Sequence, residues 1–100
     1  MNDDDLLDAF ERCTLAPFDH RAHLRVTWTL LRRAPLPEAA DRVRDGIRRF
    51  AAAHGQTRKY DDALTRAWIG RVAMALARAS DAADFDAFIA RSPELLTKSA

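Results

Sequence analysis

The chain has 100 residues, of which 48% are hydrophobic and 31% are charged, and its formal net charge is +1. This composition is typical of a soluble globular protein and excludes a disordered or membrane-embedded chain. The length suffices for one domain with a modest core, so we predict a single domain over residues 1–100. Cys13 is the only cysteine, which excludes an internal disulfide and a zinc site built from several cysteines.

Two features of the sequence bear on its compartment. No apolar run approaches the roughly 20 residues of a transmembrane helix, and the start, MNDDDLLDAF, is acidic where a targeting peptide would be basic. We therefore expect a cytoplasmic protein with no membrane association. The many arginines and alanines are typical of GC-rich coding, which leads us to expect a bacterial source.

Helical periodicity runs through the whole sequence, whereas few glycines and few β-branched residues argue against a sheet. Helices are predicted, in chain order, over residues 3–13, 20–33, 37–54 and 61–79, then from Ser80 or Asp81 in a shorter helix, with a last turn at Pro93. Asp19 is placed to cap the second helix, and Gly55 to follow the third. Because the connections are short, we predict an all-α fold, a small antiparallel bundle of about five helices.

Each predicted helix carries an apolar stripe that is expected to face the core. From the first helix to the fifth, the stripes are Leu6, Leu7 and Phe10; Leu24, Thr27, Trp28 and Leu31; Ala40, Val43, Ile47 and Phe50; Leu64, Trp68, Ile69, Val72, Ala75 and Leu76; and Phe85, Phe88 and Ile89. The fourth helix is the most apolar of the set.

The three histidines are predicted to lie at one end of this bundle. His20 and His23 begin the second helix, His54 ends the third, and Tyr60 and Asp61 stand where the fourth begins. In a bundle whose helices alternate in direction, the first and third connections lie at the same end of the bundle, which we call the pole. At about 100° per residue, His20 and His23 fall on the apolar side of their helix, and Asp61 points inward if it is helical.

This cluster suggests two kinds of chemistry. His20, His23 and Asp61 are candidate ligands of a divalent metal ion, since imidazole and carboxylate groups can share one. Alternatively, the two histidines form an acid-base pair with Tyr60 as a hydrogen-bond donor. Structural interpretations stay open: Asp61 can cap its helix, the histidines can close the end of the core, and His54 can neutralise a helix C-terminus.

The arginines offer a different interpretation. Residues 20–50 contain eight of them, at positions 21, 25, 32, 33, 42, 44, 48 and 49. Such a segment can form a basic face for phosphates. However, acidic residues are interspersed, and no recognition helix is apparent, so a solvated face is favoured and nucleic-acid binding is the weakest option.

Four segments, FDHRAHLRVTW, GIRRFAAAHG, TRKYDDALTRAW and FDAFIARSPELL, resemble a family of small uncharacterised bacterial helical proteins. The family pattern is approximately FxHxxHLRxAW, FAAxxG, KYHxTxTxAW and FxxFxxxxPxLL, and the likeness spans residues 17–96. The matching positions are Phe18, His20, His23, Leu24, Arg25, Trp28, Lys59, Tyr60, Thr65 and Trp68. Asp61 stands where the family has a third histidine, and Ala63 where it has threonine. The resemblance implies that this chain and the family share a group of polar residues at one end of the bundle. It implies no particular activity for this chain.

We therefore predict a small-molecule or metal-binding domain with its site at the His20, His23, Tyr60 and Asp61 pole, and with Arg25 and His54 as further site candidates. The alternative is a non-catalytic interaction module, either an accessory subunit or a homodimer that uses an exposed apolar or arginine-rich face.

Overall fold

The structure, a computed structural model, describes residues 1–97. Five α-helices follow one another as α1 (Asp3–Glu11), α2 (His20–Arg33), α3 (Leu36–Ala53), α4 (Asp62–Arg78) and α5 (Phe85–Arg91). Two short 3-10 helices lie at Thr57–Lys59 and Pro93–Leu96. The described residues contain no strand. The prediction of a small all-α bundle is confirmed.

Acidic or amide side chains start four of the five helices. Asn2, Asp19, Asp61 and Asp84 each accept a hydrogen bond from a backbone N–H three residues later, at 2.7 to 3.0 Å. These bonds satisfy N–H groups that have no partner inside the helix. Helix α3 has no such cap and carries proline in its first turn, where the missing N–H costs nothing.

The predicted boundaries differ from the structure mainly around the first and last helices. Helix α1 ends at Glu11 rather than Cys13, which adopts the left-handed conformation with φ 62°. Helix α5 begins at Phe85 and not at Ser80 or Asp81, because Asp84 provides its N-terminal cap. Gly55 follows α3 with φ 68°, as expected of a glycine that ends a helix.

Helix α2 is the centre of the bundle and is buried on two sides. Val26 and Leu30 pack with α1 and α3 in one apolar cluster, whereas Leu24 and Trp28 pack with α4 and α5 in a second. The predicted single stripe was therefore too narrow, since Val26, Thr29 and Leu30 are buried as well. Two buried faces on one helix separate the core into two clusters.

The predicted stripes of α3 and α4 need correction. On α3, Ala39 and Gly46 are buried while Ala40 and Ile47 are only half-buried. On α4, Leu64 is 56% exposed although the sequence assigned it to the core. Within residues 1–97, no helix combines the length and the apolar character that crossing a membrane requires.

Candidate functional site

The connections predicted to share a pole do meet there. The His54 ring lies in the α3–α4 connection, and its Nε2 donates a hydrogen bond to the Cys13 carbonyl after α1, at 3.0 Å. The same ring stacks on Phe50, with 4.5 Å between the ring centroids. His54 thus fastens the two connections together. It lies outside the pocket described next and is a structural residue.

A pocket of about 290 Å³ opens at this pole between α2, α3 and α4. It lies at the seam of the two core clusters, so both clusters contribute to its walls. Its floor is formed by buried residues, namely Leu24, Thr27, Val43, Ile69 and Val72. Its mouth carries the polar and half-buried or exposed residues, namely His20, His23, Lys59, Tyr60, Asp61, Leu64, Thr65 and Trp68, with Ile47 between floor and mouth.

His20 lies on the pocket wall, and one of its ring nitrogens is already used. Its Nε2 is 2.7 Å from the carbonyl oxygen of Leu95. A carbonyl only accepts hydrogen bonds, so this nitrogen carries the hydrogen and donates it. The ring also meets Trp68 edge to face, with centroids 4.6 Å apart. His20 therefore anchors the C-terminal 3-10 helix to α2.

His23, the second histidine of the HxxH pair, lies on the same wall but faces a different neighbour. Its ring packs edge-on against Phe18, with centroids 3.9 Å apart. Phe18 in turn contacts Phe50 of α3, so the ring belongs to an aromatic row that crosses the pole. The pair thus joins two parts of the protein: His20 contacts the C-terminal segment, and His23 contacts the α1–α2 connection.

Asp61 is the N-terminal cap of α4. Its carboxylate accepts the backbone N–H of Leu64 at 3.0 Å, and its backbone is extended and not helical. This is the structural alternative that the sequence left open. Among residues 1–97, no group of three or more His, Cys, Asp or Glu side chains is arranged to hold a metal ion, and the predicted set of His20, His23 and Asp61 is no exception.

The next residue, Asp62, is the charged centre of the pole, which sequence analysis did not single out. Its carboxylate receives Nε and Nη2 of Arg44 at 2.8 and 3.1 Å, the hydroxyl of Tyr60 at 2.6 Å and Nε of Arg66 at 2.9 Å. The hydrogen bonds from Arg44, followed by the one from Tyr60, lower the pKa of Asp62 to about 2. The i, i+4 spacing of Asp62 and Arg66 was the one signal available in the sequence.

Tyr60 gives its hydroxyl hydrogen to Asp62 and is therefore not free to donate it to a substrate. Partial burial, together with the hydrogen bond to Asp62, raises the pKa of the phenol above its usual value. Both effects keep Tyr60 protonated near neutral pH. The side chains of Arg44 and Thr65 also hydrogen-bond with the Tyr60 hydroxyl and act in the opposite direction on its pKa.

Arg25 does not belong to the pocket. Its guanidinium donates to the Met1 carbonyl at 2.7 Å and to Asp3 at 3.3 Å, which ties the start of α1 to α2. In the described part of the chain, six of the eight arginines between residues 20 and 50 make ion pairs with carboxylates, namely Arg21, Arg25, Arg33, Arg42, Arg44 and Arg48. The acidic start of the chain provides several of these partners.

Comparison with known proteins adds no relative. No family model matches the chain, and neither a curated protein nor a solved structure matches it. The resemblance described from the sequence motifs stays a prediction.

Proposed function

We propose that this domain binds a small, largely apolar organic molecule in the pocket between α2, α3 and α4. The observation that carries the proposal is the shape and lining of the pocket. A buried floor of aliphatic side chains lies below a mouth of polar and aromatic groups. Concave, mainly apolar sites with a few polar groups are typical of ligand sites in helical bundles.

The size of the pocket limits the ligand. A volume of about 290 Å³ is at the low end for ligand sites, which run from about 300 to 1,000 Å³. It holds about ten water-sized groups at roughly 30 Å³ each. A ligand of this size binds with a Kd between about 10 µM and 1 mM unless it makes unusually good polar contacts.

The polar groups support binding rather than catalysis or metal coordination. The Nε2–H of His20 and the hydroxyl hydrogen of Tyr60 are both donated within the protein. Asp61 is engaged as a helix cap. An acid-base step or a metal bond through His20 Nε2 or the Tyr60 hydroxyl would first have to break those contacts. Binding of a neutral molecule requires no such change.

The two tryptophans provide an internal control for a binding test. Trp68 lines the pocket, whereas Trp28 lies on α2 within the second core cluster and is not part of the lining. Titration with ethylbenzene, followed by two-dimensional amide NMR, should shift the indole N–H signal of Trp68 in a saturable manner. The indole signal of Trp28 should move much less.

A filled pocket provides the second control. Ile47→Phe enlarges a half-buried lining residue and should weaken ethylbenzene binding at least about tenfold, since the added atoms occupy the site. Leu76→Phe makes a similar change at a half-buried position of α4 outside the pocket and should leave binding unchanged. Absence of saturable binding of ethylbenzene and of polar molecules of the same size to the unaltered protein would refute the proposal.

A second candidate is an interaction module that associates through the outer face of α4. Met74 on this helix is 67% exposed, and Leu64, which also borders the mouth of the pocket, is 56% exposed, so both offer apolar surface to a partner. Sedimentation velocity tests this candidate directly. A homodimer whose dissociation is promoted by Met74→Glu would support it, and a monomer at all accessible concentrations would exclude self-association.

A further inference from the structure

The hydroxyl groups that line the pocket donate their hydrogens within the protein. Thr27 Oγ1 donates to the His23 carbonyl at 2.8 Å, and Thr65 Oγ1 donates to the Asp61 carbonyl at 2.8 Å. Carbonyl oxygens only accept, so both hydroxyl hydrogens point away from any ligand. Tyr60 likewise gives its hydrogen to Asp62. Because Arg44 and Thr65 already contact the Tyr60 hydroxyl, the two threonine oxygens are the remaining ones, and they can only accept hydrogen bonds from a bound molecule.

Thr27 is the hydroxyl-bearing residue among the buried lining residues of the pocket. It is 5% exposed, and its neighbours on the floor are the aliphatic side chains of Leu24, Val43 and Val72. No charged residue lines this floor. A charged ligand group placed there would lose its hydration without gaining a counter-charge, which is costly. The buried end of the ligand is therefore expected to be neutral.

The charges of the pocket lie at its mouth and have opposite signs. Lys59 and Asp61 are both exposed lining residues. Their formal charges cancel, so the mouth as a whole favours neither an anion nor a cation. Selection by hydrogen bonding at the floor is then the stronger source of specificity.

We propose that the pocket selects small alcohols or phenols, whose neutral hydroxyl donates a hydrogen bond to Thr27 Oγ1 while the apolar body fills the aliphatic floor. This inference rests on the proposed function and adds the class of ligand and the residue that recognises it. An ether or ketone of the same shape would place a lone pair against the lone pairs of Thr27 and would leave both unsatisfied.

Matched aromatic probes test this selection. Benzyl alcohol and anisole are isomers, of which only the alcohol can donate a hydrogen bond. Ethylbenzene has the same number of non-hydrogen atoms and no polar atom, and benzylamine carries a positive charge. By NMR titration, benzyl alcohol should bind about tenfold more tightly than anisole, as expected for one well-placed hydrogen bond. Benzylamine should bind more weakly than benzyl alcohol.

Two threonines of α2 provide the variants. Thr27→Val removes the accepting oxygen and should abolish the preference for the alcohol, whereas Thr27→Ser should retain it. Thr29→Val is the matched control, because Thr29 is also buried and also donates to the carbonyl four residues earlier, at 2.7 Å, but does not line this pocket. It should leave the preference unchanged.

The outcomes separate the two proposals. Saturable binding of ethylbenzene with equal affinity for benzyl alcohol and anisole overturns the selection by Thr27 and leaves the apolar pocket intact. A preference for the alcohol that survives Thr27→Val, or tighter binding of benzylamine, also overturns it. Binding of none of the four probes refutes the proposed function itself and the selection with it.

Discussion

The two helical glycines Gly46 and Gly70 should respond to alanine in opposite directions. Gly46 of α3 faces the ring of Phe10 on α1, and a β-carbon added there would lie closer than 3.0 Å to Cζ and Cε2 of that ring. At Gly70 of α4, a β-carbon would meet no atom within 4 Å apart from its chain neighbours and the backbone of its own helix. The same substitution thus adds a methyl group to a filled space in one helix and to an open space in the other.

The magnitudes follow from two competing effects. Alanine stabilises the interior of a helix by about 1 kcal/mol relative to glycine. At Gly70 this is the whole effect, so Gly70→Ala should increase the free energy of unfolding by about 0.5–1 kcal/mol. At Gly46 the added methyl group would overlap the ring of Phe10, which is 1% exposed, and overpacking of this kind costs about 3 kcal/mol. Gly46→Ala should therefore decrease the free energy of unfolding by about 2 kcal/mol.

Urea unfolding followed by circular dichroism measures the two changes in the free energy of unfolding, and thermal unfolding followed in the same way measures the changes in Tm. For a domain of this size, a change of 1 kcal/mol corresponds to a shift in Tm of about 4–8 °C, so Gly46→Ala should lower Tm by about 10 °C and Gly70→Ala should raise it by a few degrees. The measurement belongs at two protein concentrations, because association through the outer face of α4 would make the effect at Gly70 depend on concentration.

A double mutant identifies the contact responsible. Phe10→Leu removes the ring atoms that the new methyl group would overlap, so it should cost less in the Gly46→Ala background than in the unaltered protein. We expect a coupling free energy of about 1–2 kcal/mol between the two sites. Gly46→Ala as stable as the unaltered protein would refute the described packing of α1 on α3, as would additive effects in the double mutant.

Three further predictions concern the pole. Because its pKa is lowered, the Asp62 carboxylate stabilises the fold at pH values above its unfolded pKa of 3.8, and this contribution is lost as the pH falls towards about 2. Asp62→Asn should therefore flatten the dependence of the urea midpoint on pH between these two values. An unchanged slope would contradict the contact between Asp62 and Arg44. His20→Ala removes the bond to Leu95 and should accelerate amide hydrogen exchange in residues 95–97 more than in α2, with about 1 kcal/mol lost in stability. Addition of Zn²⁺ to protein without a histidine tag should leave Tm unchanged. A rise in Tm that disappears in His23→Ala would instead support the metal site predicted from the sequence.

Much of the fold could be predicted from local signals in the sequence. Asp19 before a periodic apolar segment and Gly55 after one mark helix ends, because caps and left-handed glycines satisfy backbone groups within a few residues. The start of α5 was predicted too early, since both Asp81 and Asp84 are suitable caps and only packing of Phe85 and Phe88 decides between them. Sequence-based prediction of a helix end fails where two local signals are equivalent and tertiary contacts decide which of them caps the helix.

The candidate site was predicted in position but not in its chemistry. Helical periodicity places His20 and His23 on the inward side of α2, and both do line the pocket. What it could not show is that the Leu95 carbonyl, 75 residues further on, takes the hydrogen of His20 Nε2. A partner so distant in the chain leaves no trace in local spacing.

The neighbouring carboxylates of Asp61 and Asp62 are a second case in which the sequence could not predict which side chain makes which contact. Asp61 and Asp62 are consecutive, and sequence reasoning favoured Asp61 because it aligns with a histidine in the resembling family and falls on the inward side of an ideal helix. The structure starts the helix one residue later, so Asp61 becomes the cap and Asp62 meets Arg44 from α3. A shift of one residue at a helix start therefore exchanges the roles of two identical side chains.

Thr27 illustrates what the sequence does permit once a helix is assigned. A threonine inside a helix commonly donates its hydroxyl hydrogen to the carbonyl four residues earlier, so an inward-facing threonine presents an acceptor to whatever lies beside it. That inference needs only the helix and the side that faces inward, and both were predicted for α2. Whether the acceptor faces solid core or a pocket depends on how far α3 and α4 separate at the seam between the two clusters. Thr29, two residues further along the same helix, makes the same hydrogen bond and has no part in that seam. The hydrogen-bond acceptor that is proposed to give the pocket its specificity is therefore set within α2 alone. Whether a ligand can reach it depends on the packing of α3 and α4.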